Sequence, residues 1–395
     1  MSSQDDIVII DGVRTAIGTF GGSLKDVPAP TLGAHVIKEA LRRSGVGPED
    51  VNEVVLGAVG QVSRDAFMAR ISALEAGLPA DTSTAQTVNR LCGSGLQAIV
   101  TGSQWLQLQD ADVVVAGGTE NMSALPYYVW NRWGRRLGHS ELEDGVLSAV
   151  TDPFERYPMG MTAEQVALEF HISREEQDRM ALDSQERARA AIDDGLFTTQ
   201  ILPLEVADGR NKKLFAVDEH PRNTSMEQLA RLRPAFKEGG SVTAGNASGI
   251  NDGAAAVVMM RAGDAERRGL EPRARVVSYA VAGIRPDIMG YAPVHAIRQA
   301  LTRAGLDMDE IALTELNEAF AAQAAAVVRD AHLDWSLTNV NGGAIALGHP
   351  IGATGAILTV KLLYELERRR QRYGLVTMCI GGGQGIAAVF ENYRV

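Results

Sequence analysis

The strongest constraint on the fold is an internal repeat, in which two parts of the chain match at an offset of 260 positions. VIKEALRRSGVGPEDV (36–51) aligns with AIRQALTRAGLDMDEI (296–311). The same offset aligns CGSG (92–95) with GATG (352–355), and an apolar run with helical spacing follows each turn. A register kept over two separate blocks predicts two similar halves. The competing explanation is that helix–loop–strand units look alike by composition alone.

Each half alternates short apolar segments with helical stretches of about 10–15 residues. The apolar segments end in small residues and lie at 54–59, 112–118, 275–283 and 375–383. Strands that are buried on both faces have continuous apolar sequences of this kind. The pattern predicts an α/β fold with mainly parallel sheets covered by helices.

The stretch 120–249 has no counterpart in the repeat and is predicted to be an inserted helical loop domain. The predicted N-terminal half is 1–119 together with 250–272, and the predicted C-terminal half is 273–395. Two capping signatures predict helix starts in the insertion, namely Thr162 with Gln165 and Ser173 with Glu176. The second helix is expected to stop at Gly195.

Composition and charge exclude several classes of protein. With Cys92 and Cys379 as its only cysteines, the chain cannot be a disulfide scaffold. A net charge of −11 argues against a general nucleic-acid binder. No run of 18 apolar residues predicts a membrane span, and neither terminus reads as a targeting signal. We therefore expect a cytoplasmic enzyme or a large binding protein.

Cys92 stands directly before Gly93, Ser94 and Gly95, at the start of an apolar helical run. Unpaired backbone N–H groups and the helix dipole are expected to favour its thiolate, which is the nucleophilic form. The neighbouring glycines allow a substrate carbonyl to approach the backbone. A small buried cysteine in a tight turn is the structural alternative.

His349 lies in NVNGGAIALGHPIGATGA (339–356), where Pro350 restricts it to extended backbone. The loop can project the imidazole into a cleft, ahead of the glycine-rich helix start. The other six histidines lack such surroundings and are predicted to be structural; they are His35, His139, His171, His220, His295 and His332.

Cys379 ends an apolar segment and enters GGGQG (381–385), whose backbone N–H groups could stabilise an oxyanion. A buried structural cysteine is again the alternative, and the run lacks the spacing of a phosphate loop. Asn317, in NEAF, is predicted to follow a strand, where functional groups collect. A nucleophilic Cys, a His base, a second Cys and a fixed amide together indicate thioester exchange, and no metal-ligand spacing is present.

Six long motifs resemble the thiolase family across the whole chain. They are NRLCGSGLQAI (89–99), GGTENMS (117–123), TAGNASGINDGAAA (243–256), NEAFAAQ (317–323), GGAIALGHPIGATG (342–355) and CIGGGQG (379–385), and VRTAIGTFGG (13–22) matches too. The resemblance implies a five-layered α/β/α/β/α sandwich of two similar halves. It also implies a homodimer or homotetramer that uses acetyl-CoA, acyl-CoA and CoA as substrates, with no permanently bound cofactor or metal.

The resemblance also implies a role for each residue of the site. Cys92 would carry the acyl group, and His349 would activate Cys92 and help to bind the thioester oxygen. Asn317 would hold a water there, and Cys379 would move the proton at C2 of acetyl-CoA. The N–H groups of Cys92 and Gly381 would form a second oxyanion hole. Such groups fit a Claisen condensation, because the reaction needs an acyl carrier and a stabilised enolate.

Residues outside the chemistry are implied to bind the substrate. Ser248 matches a pantetheine contact, Arg222 a contact near the nucleotide, Met159 and Met289 the acyl pocket, and Phe320 a further substrate contact. CoA is anionic, so its phosphates need local positive charge. The basic cluster of Arg222, Arg231, Arg233 and Lys237 is expected at the CoA mouth, with a solvated face as the alternative.

One departure from the family concerns Pro158, since many thiolases have His there. Proline offers no side-chain or backbone hydrogen-bond donor, which affects substrate preference rather than chemistry. We expect a thiolase acting on short acyl chains such as acetoacetyl-CoA. The alternative is a degradative 3-ketoacyl-CoA thiolase for longer chains. Ketoacyl-ACP or HMG-CoA synthases and a non-catalytic thiolase-like binding protein are less well matched, because CxGGGxG and all catalytic motifs are intact.

Overall fold

The computed structural model describes residues 3–394, with fifteen strands and twelve α-helices in that range. The strands are Ile7–Thr15 (β1), Gly18–Thr19 (β2), Glu53–Gly57 (β3), Thr84–Val88 (β4), Val113–Asn121 (β5), Tyr127–Tyr128 (β6), Glu143–Asp144 (β7), Ile201–Leu202 (β8), Leu204–Asp208 (β9), Asn211–Phe215 (β10), Asn251–Arg261 (β11), Ala274–Gly283 (β12), Ile311–Leu316 (β13), Tyr373–Ile380 (β14) and Gln384–Asn392 (β15).

The helices follow in the same order along the chain. They are Ala29–Ser44 (α1), Met68–Glu75 (α2), Ser94–Gln107 (α3), Gly145–Ala149 (α4), Gly160–Glu169 (α5), Arg174–Asp193 (α6), Met226–Ala230 (α7), Ala262–Arg267 (α8), Ala292–Ala304 (α9), Ala321–Asp330 (α10), Ala344–Leu347 (α11) and Thr354–Arg369 (α12). Every helix in residues 3–394 is too short or too polar to span a lipid bilayer.

The internal repeat is visible in the positions of these elements. The offset of 260 carries the first residue of α3, Ser94, onto the first residue of α12, Thr354. It also carries the start of β5 at Val113 onto the start of β14 at Tyr373. Helices α1 and α9 both end before a left-handed glycine, Gly45 and Gly305. The sequence match therefore reflects a duplicated α/β unit.

The main sheet is mixed rather than mainly parallel. Its strand order is β13-β14-β15-β12-β1-β11-β5-β3-β4, with β2 and β8 attached at the side. Of its ten strand pairings within residues 3–394, six are antiparallel and four parallel. The prediction was wrong because antiparallel strands covered by helices on both faces, such as β5 and β11, are also continuously apolar. The tight turn from β14 to β15 moreover requires an antiparallel pair.

Helices divide this sheet into two halves and complete five layers. α1 packs on β1, β5 and β11, and α9 packs on β12, β14 and β15. α3 and α12 contact each other and lie between the two halves, where α3 packs on β3 and β5 and α12 packs on β13 and β14. The five-layered sandwich of two similar halves is thus confirmed. The halves join where Val8 and Ile9 of β1 pair with Arg275 and Ala274 of β12.

The insertion contains strands as well as helices. Two small antiparallel sheets, β6–β7 and β9–β10, accompany helices α4 to α7. The bounds of the insertion stay a prediction, although β5 runs to Asn121, two residues past the predicted border. A buried ion pair fastens the insertion to the body, because Arg14 of β1 donates to Asp218 over 2.7 Å and both side chains are fully buried.

One of the two predicted caps of the insertion is present. Ser173 and Glu176 form a capping box at the start of α6, which ends just before Gly195 as expected. The prediction for Thr162 and Gln165 was wrong, because α5 starts earlier, at Gly160. Thr162 lies inside α5 and donates its hydroxyl to the carbonyl of Met159 over 2.7 Å.

The glycine turn after β14 gives a test of the fold. Gly383 has φ +82°, and a Cβ there would lie 2.1 Å from the carbonyl oxygen of Ile284. Gly305 has φ +66° and open space around it. We expect Gly305→Ala to cost about 1–2 kcal/mol, from the left-handed backbone alone. Gly383→Ala should cost roughly 1–3 kcal/mol more, because the methyl group overlaps backbone.

Scanning calorimetry of both variants beside the parent protein measures this difference as a larger loss in melting temperature for Gly383→Ala. Equal losses would contradict the described packing of this turn.

Candidate active site

Cys92 lies in a tight turn between β4 and α3. Leu91, just before it, has the left-handed φ of +46°, which is unusual for a residue with a side chain. The amide of Gly93 donates to the carbonyl of Arg90, and the amide of Ser94 donates to the carbonyl of Leu91. This turn holds Cys92 two residues before α3 begins, so the predicted place at a helix N-terminus is confirmed.

Two backbone amides meet at the sulfur of Cys92. They are the N–H groups of Cys92 itself and of Gly381, which comes from the turn after β14. Cys379 lies close enough to interact with the same sulfur electrostatically. The structure therefore brings together three of the predicted residues, although the last two are nearly 290 positions from Cys92 in the chain.

The surroundings of Cys92 oppose the thiolate that its backbone contacts favour. Cys92 is only partly exposed, and it packs against an apolar cluster that contains Met122, Val146 and Ile351. Burial raises the pKa of Cys92 to about 11, and the two amides lower it by less than burial raises it. The backbone amides favour the thiolate as predicted, but desolvation outweighs them.

His349 is held in the loop between α11 and α12 by three hydrogen bonds. Its amide donates to Oδ1 of Asn251 over 3.0 Å. Its Nδ1 lies 2.7 Å from Oγ1 of Thr354, and its Nε2 lies 3.4 Å from Nδ2 of Asn317. Burial lowers the pKa of His349 to about 4, so the resting imidazole is neutral and able to accept a proton.

Asn317 directly follows β13, as predicted, and is fully buried. The backbone N–H of Asn317 donates to the carbonyl of Thr377 over 3.0 Å, and this bond fixes Asn317 beside β14. Within the part of the chain that the structure describes, its Oδ1 has no hydrogen-bond partner. A buried oxygen without a partner suits a residue that binds a water or a substrate group.

Cys379 lies near the end of β14 and is fully buried. It packs in one apolar cluster with Met289 and Ala319, against which Met159 and Phe320 lie partly buried. Burial and the nearby Cys92 raise the pKa of Cys379 well above its ordinary value. The predicted acyl-pocket residues therefore surround the second thiol.

The predicted CoA contacts lie on two neighbouring segments. The amide of Ser248 donates to the carbonyl of Ala319 over 3.0 Å, which places Ser248 beside Cys379's cluster. Arg222 is exposed, and its amide donates to Oε1 of Gln185 over 2.7 Å. The rest of the basic cluster is exposed as well, and its part in CoA binding stays a prediction; it comprises Arg231, Arg233 and Lys237.

The structure also shows residues that the sequence did not point to. The buried carboxylate of Glu120 accepts from the amides of Val59, Gly60 and Gly352, and so joins the turns beside Cys92 and His349. The signal was present in GGTENMS, but nothing local distinguishes a buried carboxylate from an exposed one. Glu318 was missed for the same reason.

Glu318 accepts from Ser184 of the insertion at 2.6 Å, from Asn339 at 2.7 Å and from the amide of Ile345 at 3.2 Å. It therefore ties α6 to the loop that leads to His349.

His220, predicted to be structural, packs against the loop of Ser248. Its ring would lie 2.3 Å from a Cβ at Gly249, so only glycine fits there. In residues 3–394 its Nδ1 has no hydrogen-bond partner. Burial and the nearby Arg222 lower its pKa to about 4, so the ring is neutral at pH 7. In the same range, no three His, Cys, Asp or Glu side chains are grouped to hold a metal ion.

Family models match nearly the whole chain. Residues 7–263 match the thiolase N-terminal domain, and residues 270–392 match the thiolase C-terminal domain. The chain belongs to the thiolase family. It is accordingly an acyltransferase.

Named relatives of this thiolase include a beta-ketothiolase, an acetyl-CoA acetyltransferase and a 3-ketoacyl-CoA thiolase. The chain is 54% identical to beta-ketothiolase BktB of Cupriavidus necator, over 98% of this chain and 99% of that protein. It superposes on the acetyl-CoA acetyltransferase of Bacillus anthracis with a TM-score of 0.96 at 47% identity, covering 98% of each chain. Human mitochondrial 3-ketoacyl-CoA thiolase in complex with CoA gives 0.95 at 46% identity, covering 99% of each.

The raised pKa of Cys92 predicts how this thiolase reacts with iodoacetamide. Only the thiolate reacts, so the alkylation rate should rise about tenfold per pH unit from pH 7 to pH 10. The rate is followed as loss of the free Cys92 peptide by mass spectrometry. Cys379→Ser confines the reaction to Cys92, and adding Cys92→Ala to that variant should abolish the remaining alkylation. A rate that levels off below pH 8 would mean that a thiolate exists in the resting enzyme.

Proposed function

We propose that this thiolase catalyses the reversible Claisen condensation of an acyl-CoA with acetyl-CoA to a 3-ketoacyl-CoA and CoA. The observation that carries the proposal is that the Cys379 thiol and the amide of Gly381 both lie at the Cys92 sulfur. A neutral His349 that faces Asn317 completes the set. These are the groups that a covalent acyl carrier and an enolate intermediate require.

The first half-reaction transfers the acyl group to Cys92. His349 takes the thiol proton on Nε2 as the sulfur attacks the acyl-CoA carbonyl, because a thiol of high pKa needs a base during the attack. The oxyanion that forms is stabilised by the N–H groups of Cys92 and Gly381. CoA then leaves as a thiol, with a proton from Cys379.

The second half-reaction forms the carbon–carbon bond. The Cys379 thiolate removes a proton from C2 of acetyl-CoA, and the enolate oxygen is stabilised by His349 and by a water on Asn317. The enolate carbon attacks the acyl carbonyl, the bond to Cys92 breaks, and the proton held by His349 returns to the Cys92 sulfur. Thiolysis is the same sequence in reverse.

Substrate binding is proposed for the residues around this chemistry. Ser248 contacts the pantetheine arm, and Arg222 meets the phosphates with the basic cluster of Arg231, Arg233 and Lys237. Their exposure supports this, since CoA phosphates stay partly solvated while the overall charge of the chain is negative. Met159, Met289 and Phe320 bound the acyl group beside Cys379.

The proposed substrates have short acyl chains, such as acetoacetyl-CoA. The apolar walls support this, because Met289 is buried and the tip of the Met159 side chain lies close to Gly381. A preference for longer chains, as in a degradative 3-ketoacyl-CoA thiolase, is the second candidate. The similarity to the human mitochondrial enzyme supports it.

We also propose that the enzyme works in the cytoplasm as a homodimer or homotetramer. The insertion supports an assembly, because it exposes large apolar side chains that a second copy would cover; Trp130 is 85% exposed and Trp133 94%. Other exposed large apolar side chains of the insertion include Tyr127, Val129, Leu137, Leu142, Leu147 and Phe154.

Replacement of the two thiols should separate their roles. Cys92→Ala should lower kcat by roughly 10⁴-fold or more, because the acyl carrier is lost, while CoA binding by calorimetry stays close to that of the parent enzyme. Cys379→Ser should leave acylation of Cys92 by acyl-CoA measurable but reduce condensation and thiolysis more strongly. If Cys379→Ser abolishes acylation together with turnover, the division of roles is wrong.

The profile of kcat/KM against acyl length separates the two substrate candidates. We expect the highest thiolysis rate for acetoacetyl-CoA and a decline for longer 3-ketoacyl-CoAs, because longer chains meet Met159 and Met289. A rate that rises steadily with chain length would refute the short-chain preference without affecting the proposed chemistry.

A further inference from the structure

The duplicated turns before α3 and α12 differ in how they use one hydroxyl group. The offset of 260 aligns Ser94 with Thr354 and Arg90 with Pro350. In the N-terminal half, the Ser94 hydroxyl donates to the carbonyl of Leu91 over 2.6 Å and accepts from the amide of Arg90 over 2.9 Å. Backbone groups therefore take the proton of the Ser94 hydroxyl and also one of the acceptor positions on its oxygen.

In the C-terminal half the corresponding amide does not exist. Pro350 has no N–H group, so nothing from the backbone at this position can donate to Thr354. The Thr354 hydroxyl donates to the carbonyl of Pro350 over 2.9 Å, and its oxygen lies 2.7 Å from Nδ1 of His349. Thr354 is buried, so water does not compete for its oxygen.

The contacts of both ring nitrogens agree with one direction for the bond between Thr354 and His349. A threonine hydroxyl has a single proton, and when the Pro350 carbonyl accepts it, the Thr354 oxygen accepts from Nδ1 of His349. In this arrangement Nδ1 carries the proton of the neutral imidazole. Nε2 is left without a proton and faces Nδ2 of Asn317, which is a donor.

We propose that Thr354 is a positioning residue for His349, which holds its proton on Nδ1 and keeps Nε2 free as the base for Cys92. Pro350 has the complementary part, since it removes the amide that would otherwise occupy the Thr354 oxygen. The inference rests on the proposed function, in which His349 takes the Cys92 proton. It adds a reason why Nε2 of His349 carries no proton in the resting enzyme.

Thr359 supplies a matched control within the same helix. It is also buried in α12, and its hydroxyl donates to the carbonyl of Gly355 over 2.8 Å, without a histidine partner. Thr354→Val and Thr359→Val thus remove the same group from the same kind of site. Thr354→Ser keeps the hydroxyl and should restore the parent behaviour.

We expect Thr354→Val to lower kcat about 10- to 100-fold, the effect of losing one buried hydrogen bond to a reacting group. KM for acetyl-CoA should change little, because Thr354 is buried behind His349 in the proposed site. Thr359→Val and Thr354→Ser should stay within about threefold of the parent enzyme. Equal losses in Thr354→Val and Thr359→Val, or no loss in either, would overturn the proposal.

The tautomer itself is read from ¹⁵N-histidine NMR of the resting parent enzyme, which needs no variant to fold. The His349 signal, assigned by its loss in His349→Asn, should show a protonated Nδ1 and a bare Nε2. Thr354→Val should shift it toward the other tautomer. A protonated Nε2 in the parent enzyme, or an unchanged tautomer in Thr354→Val, would overturn the proposal.

His349→Asn in the activity assay separates this inference from the proposed function. If His349→Asn keeps near-parent activity, the role of His349 as base is wrong. If it is inactive while Thr354→Val is fully active, only the role of Thr354 is wrong.

Discussion

The close crossing of α3 and α12 is the contact on which the site depends. The helices meet at Gly95 and Gly355, which occupy the same position in the two halves. A Cβ at Gly355 would lie 2.2 Å from the amide nitrogen of Leu96, and a Cβ at Gly95 would lie 2.8 Å from that of Ala356. Only glycine permits this approach, because backbone cannot move aside as a side chain does. The crossing brings both helix N-termini together, and with them the turns that carry Cys92 and His349.

The chemistry arises where the two halves have diverged from each other. Cys92 corresponds to Gly352, where a Cβ would lie 2.4 Å from Oε2 of Glu120, so the C-terminal turn has no room for a second cysteine. Glu120 instead accepts the amide of Gly352 and holds that turn in place. The two halves also differ at Arg90 and Pro350. The Arg90 amide donates to the Ser94 hydroxyl, whereas Pro350 has no amide proton and leaves the Thr354 oxygen for His349. One half thus supplies the nucleophile, and the other supplies the base and the second thiol.

Much of this could be predicted from the sequence, because the repeat and the glycine-rich turns are local patterns. They placed Cys92 before a helix, His349 in a loop and Asn317 after a strand. Strand direction was not predictable in the same way, since burial on both faces gives one apolar pattern for parallel and antiparallel strands. The burial of Cys92, which raises its pKa, was not predictable for a related reason: the sulfur packs against Met122, Val146 and Ile351, which are distant in the chain. The roles of the CoA-binding residues remain predictions, because they depend on surfaces formed only on folding.

The central claim is that Cys92 carries the acyl group with its oxygen on the backbone amides of Cys92 and Gly381. A crystal structure of Cys379→Ser soaked with acetyl-CoA tests this directly, because the acyl-enzyme should accumulate when the second half-reaction is slowed. The account predicts an acetyl thioester on the Cys92 sulfur, with its carbonyl oxygen within hydrogen-bond distance of both amides. An acetyl group on another residue, or a carbonyl oxygen turned away from the Gly381 amide, would contradict it.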